Sequence, residues 1–250
     1  MRTRTRQRLA VISGVGAACH NVAVADTSLL DLAIYSFADV DRLVGLPPGT
    51  ARRWIDGYRR AGVDYPPVLR PEPTGSEDVT WGEMVEARLL AEFRGQRVSL
   101  QRLRPAVQRL REELGAYPLA HARPFLEVEG RELVRRVQDE VGLVRQLQLV
   151  VVRSGQTMLD VRAERFTAAA EYEHGAVVAL HPHARTPAVR MDPRHAFGQP
   201  AIRSVRTDVL AEEYRAGVGR DELARLYDLT TNQVDEALRF EMIAAAESAA

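Results

Sequence analysis

The stretch GLPPGTARRWIDGYRR, Gly45–Arg60, alternates arginines with large apolar side chains directly after a double-proline turn. Pro47 and Pro48 suit the first turn of a helix, where the missing N–H costs no hydrogen bond. At 100° per residue Ala51, Trp54, Ile55 and Tyr58 fall within one arc, and Arg52, Asp56, Arg59, Arg60 and Arg53 fall opposite. The pattern predicts a short helix with an apolar back and four arginines facing outward.

The sequence upstream supplies a partner for that back. YSFADVDRLVGL, Tyr35–Leu46, has Ser36 and Asp39 at capping-box spacing, with Asp in place of Glu or Gln. Phe37, Val40, Leu43 and Val44 form an apolar face, and Gly45 ends the helix. Two helices with a tight turn between them predict a helix-turn-helix, with the second helix in the major groove. A cationic rod of that width can pair with guanine or clamp phosphates, so Thr50, Arg52, Arg53, Arg59 and Arg60 are the expected DNA contacts. VLRPEPTGSEDVTW, Val68–Trp81, reads as a hairpin-like wing with Gly75 at its tip, which adds Arg70 to that set.

Further along, Trp81 to about Phe93 regains helical spacing. Leu100, Leu103, Val107, Leu110 and Leu114 repeat in steps of 3 and 4, an expected dimerisation seam in which Pro105 kinks the helix or marks its start. Residues 116–190 read as a small α+β connecting region. PFLEVEGRELV is expected to give a strand, a turn and a helix, while LQLVVVR and AVVAL are expected strands. Three helices are expected at the end: Asp208–Ala216 capped by Thr207, a second to Tyr227, and Asn232 to about Ala246 capped by Thr231. The expected fold is thus mainly α with small β elements: a winged helix-turn-helix plus a C-terminal trihelical, helix-turn-helix-like domain. The expected division is a disordered leader over 1–34, a winged unit over 35–115, the connecting region, and the trihelical domain over 191–250.

Charge divides the chain although its formal net charge is zero. Residues 1–120 hold 17 Arg against 14 acids, residues 121–250 hold 17 against 20, and from Thr207 onward 4 Arg face 10 acids. A basic front and an acidic tail suggest two surfaces with different partners. Every basic side chain is arginine. One cysteine, Cys19, excludes an internal disulfide and a cysteine-based zinc site, and fits the cytoplasm. MRTRTRQR followed by LAVISGVGAAC imitates a secretory signal, but His20 and Asn21 interrupt it, and a leader or an upstream start codon is the preferred reading. His181 and His183, with His174 and His195 nearby, lack acids at ligand spacing, so no metal and no cofactor are expected. The chain has no Gly-rich phosphate loop, nucleophile elbow or carboxylate pair with evident roles, and an enzyme is not expected.

FADVDRLVGLPPGTARRW (Phe37–Trp54) followed by VTWGEMVEARLL (Val79–Leu90) resembles the winged helix-turn-helix of MerR-type regulators. That resemblance implies a DNA-binding homodimer, with a wing on the backbone and a later helix making the dimer. It does not extend to metal sensing, because no cysteine cluster follows. Residues 189–241 are similar to a domain of unknown function common among small bacterial antitoxins, marked by Pro193, Gly198, Pro200, Ile202 and Arg206. The family has Gly-Thr before that arginine, and Ser204-Val205 here brings the backbone at Ser204 into question, since glycine permits positive φ. With SGQTML (Ser154–Leu159), the whole resembles the larger VapB-type antitoxins. That implies toxin neutralisation, with a PIN-domain ribonuclease as partner and autorepression at operator DNA. The acidic tail suits a basic nuclease groove. The alternative is a stand-alone MerR-like transcriptional regulator with a small-molecule ligand.

Overall fold

A computed structural model of the chain describes residues 29–94, 96 and 98–248. The expected leader therefore lies outside the described residues up to residue 28. Its last positions are part of the fold, since Leu30 is fully buried and Ala33–Ser36 forms strand β1. β1 pairs antiparallel with β4, Asp78–Thr80, placing Tyr35 opposite Val79. Helix α1, Phe37–Val44, follows at once. Its capping box closes despite the short aspartate: Asp39 N–H donates to Ser36 Oγ at 3.1 Å, and Ser36 N–H donates to Asp39 Oδ2 at 3.0 Å. Gly45, at φ 68°, ends it.

Helix α2 is Thr50–Ile55, shorter than the periodicity of Gly45–Arg60 suggests. Tyr58–Arg60 is instead β2, paired with β3, Val63–Tyr65, in a tight hairpin. The two tyrosines stack across it with centroids 4.6 Å apart. Gly57 decides the matter: its φ is 80°, and a Cβ there would lie 2.7 Å from Tyr65 O. The returning strand comes too close for the helix to continue. Arg59 and Arg60 therefore sit on a hairpin rather than on the recognition helix, and the tip of that hairpin is Ala61-Gly62. Gly75 belongs to the loop that follows.

Helix α3, Trp81–Glu92, starts at a Thr80/Glu83 capping box and is buried on almost every side. Helix α4 is Arg104–Leu114, with Pro105 in its first turn, so the proline marks a start and not a kink. Here the expected dimer seam is overturned. Leu103, Val107 and Leu110 are each 1% exposed and belong to the chain's own core, while Leu100 and Leu114 pack half-buried against it. Burial of each such side chain is worth about 1.5–3 kcal/mol, which turning outward toward a second copy would forfeit.

The middle of the chain completes this core. Arg123–Leu126 is a helical turn, α5, where a strand was expected, and α6 is Val128–Glu140. Hairpin β5–β6 pairs Val150–Arg153 with Gln156–Leu159. It is fastened to α6 by Gln138, whose side chain donates to Val150 O at 2.8 Å and accepts from Leu149 N–H at 2.7 Å. Helix α7, Val161–Ala169, leads into hairpin β7–β8, Ala170–Glu173 with Ala176–Leu180. AVVAL is buried throughout, and the Trp81 indole donates to Val177 O at 2.9 Å. One apolar cluster thus runs from Leu30 to Met191, with no break at residue 115.

A second cluster, including Val189, Ile202, Leu210, Leu223 and Val234, lies under the C-terminal helices. These are α8, Thr207–Arg215, α9, Arg220–Leu226, and α10, Thr231–Ser248. The cap of α10 is Thr230 and not Thr231: Gln233 N–H donates to Thr230 Oγ1, and Thr230 N–H to Gln233 Oε1. Two-residue strands β9, Ala201–Ile202, and β10, Val205–Arg206, precede them. In the turn between these strands positive φ falls on Arg203, at 58°, and not on Ser204. The chain is mainly α with five two-stranded β pairs among the described residues.

Glu86 on α3 is fully buried, with Oε1 accepting from Leu119 N–H at 2.9 Å and Oε2 unpartnered. Burial pushes its carboxyl up to about 8, against the pull of the Leu119 amide and Arg111. Between its ordinary value of 4.5 and about 8 the native state therefore holds a proton that the unfolded state has released. Stability through this group is present at low pH and lost as pH rises through that window. Urea unfolding at about pH 5.5 and about pH 8.5 should show Glu86→Gln gaining at least about 1 kcal/mol on the wild type between the two.

Candidate nucleic-acid interface

The recognition segment is aimed by a buried carboxylate. Asp41, on α1, accepts from Gly49 N–H at 2.5 Å and from Ala51 N–H at 2.7 Å. It satisfies amides at the start of α2 that have no intrahelical partner, and so locks the turn between the helices. Gly49 caps α2 at φ 76°, a conformation open to glycine. Trp54 O accepts from Val68 N–H and Leu69 N–H, tying the end of α2 to the following loop.

This frame sorts the expected contacts. Arg52 and Arg53 are exposed on α2, and Arg59 and Arg60 are exposed on the β2–β3 hairpin beside it. Among the described residues the guanidiniums of Arg52 and Arg60 have no partner. Arg59 faces Asp64 at 3.4 Å with both side chains largely exposed, a pair of little energetic weight. Arg53 donates to Gly49 O at 3.1 Å and to Thr50 Oγ1 at 2.8 Å. Thr50 is buried, so it positions Arg53 and does not itself face outward. A cleft of about 920 Å³ opens beside the turn, with Phe37, Pro47, Arg42, Arg52 and Glu77 among its lining residues.

Arg70, expected in the wing against DNA, is buried instead. It is 6% exposed and cannot reach a DNA backbone as placed. Its guanidinium forks onto Glu83 at 2.6 and 3.1 Å, and donates to Asp56 Oδ1 at 2.9 Å, Thr74 Oγ1 at 2.5 Å and Asp78 O at 2.7 Å. It also lies 5.7 Å from the centre of the Phe37 ring. Burial acts to raise the Asp56 carboxyl, but the Thr74 amide, Arg70 and the Gly75 amide outweigh it and hold the group below the ordinary carboxylate range. Asp41, Asp56 and Glu83 were not legible as site builders, because each looks like one more surface acid on an alternating helix. Glu83 alone carried a signal, three residues after Thr80 at capping-box spacing.

The C-terminal signature residues serve packing in this structure. Pro193, Gly198, Pro200 and Ile202 are buried, while Arg206 is exposed and pairs with Asp208. Gly198 O accepts from the Tyr35 hydroxyl at 2.8 Å, and a Cβ on Gly198 would lie 2.0 Å from that oxygen. Arg190 bridges Glu171 at 2.8 Å and buried Asp192 at 3.1 Å. His181 is spent on Glu171, at 2.7 Å, and His183 Nδ1 accepts from Arg185 N–H.

Residues 33–107 match a family described as "Putative DNA-binding HTH domain", and residues 189–240 match "Protein of unknown function (DUF433)". The chain is 40% identical over 222 residues to "Uncharacterized protein Rv2308" of Mycobacterium tuberculosis (strain ATCC 25618 / H37Rv), covering 86% of this chain and 92% of that protein. The chain belongs to the same family as that protein. It is also 29% identical over 227 residues to "Putative antitoxin VapB45" of the same organism, covering 83% and 93% of the two chains. The X-ray crystal structure of Rv2018 from Mycobacterium tuberculosis aligns with a TM-score of 0.68 at 27% identity, over 84% of this chain and 99% of that one. The winged helix-turn-helix therefore coincides with a family match, and the Arg70 network lies inside it. No helix among the described residues is long and apolar enough to cross a membrane.

Replacing Arg70 leaves Asp56 and Glu83 as buried anions without their cation. Arg70→Ala should cost about 3–5 kcal/mol in urea unfolding. Arg70→Lys should recover only part of that, because an ammonium cannot fork onto Glu83 and reach Asp56 at once.

Proposed function

We propose that this protein is a cytoplasmic, non-enzymatic antitoxin of the VapB type. Its MerR-like winged helix-turn-helix binds operator DNA as a homodimer and represses its own operon, and its acidic C-terminal domain neutralises a PIN-domain ribonuclease. The observation that carries the DNA half is the pairing of Arg52 on α2 with Arg60 on the adjacent hairpin. Both are exposed and lack an internal partner, and they stand on the recognition helix and on the hairpin beside it. The helix offers one cation to the major groove and the hairpin another to the neighbouring backbone. The likeness to a protein named as an antitoxin supports the toxin half. So does the surplus of acids after Thr207, of which Glu212, Asp221 and Glu222 are exposed on α8 and α9.

Fluorescence anisotropy with the DNA upstream of the protein's own reading frame tests the first half. The Arg52→Ala/Arg53→Ala pair should weaken binding by about 1–3 kcal/mol for each base-reading arginine removed. Arg59→Ala/Arg60→Ala should weaken all sequences alike and flatten the salt dependence. Binding unchanged in both would overturn the assignment. For the second half, the chain is co-expressed with the ribonuclease encoded beside it. Glu212→Arg/Glu222→Arg should lose the complex on size exclusion while leaving DNA binding intact.

A further inference from the structure

Three consecutive residues lie in the left-handed region: Ala196 at φ 49°, Phe197 at φ 52° and Gly198 at φ 69°. Two of them carry a Cβ that disfavours this conformation, and a bulky residue there is a true outlier. The surroundings over-determine the turn. Gly198 N–H donates to His195 O and Gln199 N–H to Ala196 O, both at 3.0 Å, and the Tyr35 hydroxyl holds Gly198 O. Upstream, Arg194 clamps the buried Asp192 carboxylate through Nε and a terminal nitrogen, each at 3.0 Å. The result is a phenyl ring 80% exposed to solvent on a rigid mount. Of the residues with a Cβ at positive φ, Phe197 alone among the described residues is a large apolar side chain left exposed. Strain of this kind persists where the structure holds a group out for binding, and rigid aromatic anchors dominate protein interfaces.

We propose that Phe197 is the central anchor of a two-fold interface with a second copy of this chain. The proposal rests on the reading of the helix-turn-helix as a paired DNA reader, and names the surface that does the pairing. The leucine seam of α4 is consumed by the core, so pairing needs another surface. The Phe197 turn is fastened to the helix-turn-helix at two points, Tyr35 on β1 and Arg42 on α1, which donates to Gln199 Oε1 at 2.7 Å. Two chains joined here would hold two recognition helices at a fixed spacing, as a palindromic site demands. Charge favours a second copy over a nucleic acid or a basic enzyme. Arg194 pairs with Asp192 and Glu173, Arg206 with Asp208, and Arg42 with Asp39. A two-fold interface sets a surface against itself, so a patch neutralised within one chain meets no like charge.

Sedimentation equilibrium of the full chain tests this with Phe197→Gly and Phe197→Asn, two residues at ease at positive φ. The wild type should dimerise in the roughly micromolar range. Both variants should raise the dissociation constant at least about tenfold. Thermal stability of the separated chain should hold or rise, which removal of a merely structural side chain would not give. Met242→Ser, removing an equally exposed apolar side chain on α10 (74%), should leave association unchanged. Variants that dimerise like the wild type overturn the anchor, and leave the DNA reading standing if Arg52 and Arg53 still govern binding. A monomeric wild type overturns both the anchor and the paired reading. Loss of the co-expressed ribonuclease from Phe197→Gly with dimerisation intact also overturns it, and gives the ring to that partner.

Discussion

The guanidinium of Arg70 sits where the end of α2, the loop over 66–77, strand β4 and the start of α3 meet, and each of these accepts a hydrogen bond from it. One cation stands against two carboxylates, Asp56 and Glu83. The surplus negative charge is absorbed by backbone amides: Thr74 and Gly75 donate to Asp56, and Thr80 donates to Glu83. Such a cluster stands because none of the buried nitrogens and oxygens of Arg70, Asp56 and Glu83 lacks a partner; taken out of water half-paired, it would be a liability. It fixes the direction in which α2 leaves the core and the place where the β2–β3 hairpin rises. The exposed arginines on both are aimed by a buried one.

A second constraint joins the ends of the chain. Tyr35 stands on β1, 4% exposed, with its ring near Trp81 and its hydroxyl on Gly198 O. Burial pushes that phenol far above its ordinary range, with Asp39 and Asp192 adding to the effect, so it remains a neutral donor. Gly198 leaves no room for a side chain at that approach. The signature segment of the C-terminal region is thereby seated on the first strand of the helix-turn-helix. The segment that precedes the C-terminal helices is thereby tied to the unit that carries Arg52 and Arg60.

Net charge says little about a chain in which many arginines have an acid within reach. The functional signal is where in the fold an exposed arginine stands. Arg70, Arg190 and Arg194 look in sequence like any other arginine, yet in the folded chain they pair with Glu83, Asp192 and Glu173. Arg52 and Arg60 are distinguished by standing exposed on the recognition helix and on the hairpin beside it.

The capping box at Ser36, the stop at Gly45, the short rod after Pro48 and the three C-terminal helices were legible from local rules, because caps, glycine and helical periodicity act within a few residues. The winged helix-turn-helix followed from their order. Long-range packing decided the rest. Gly57 ends α2 because Tyr65 returns against it, and the same spacing of Trp54, Ile55 and Tyr58 would have suited a longer helix. The α4 leucines read equally as a dimer seam or a core face; the helices and hairpins of residues 116–180 supplied the surface that claimed them. Phe197 carried no pattern at all. A local pattern states that a side chain must be buried or a backbone must turn, but what buries it, and which charge finds a partner, depends on residues far along the chain that only the closed fold brings together.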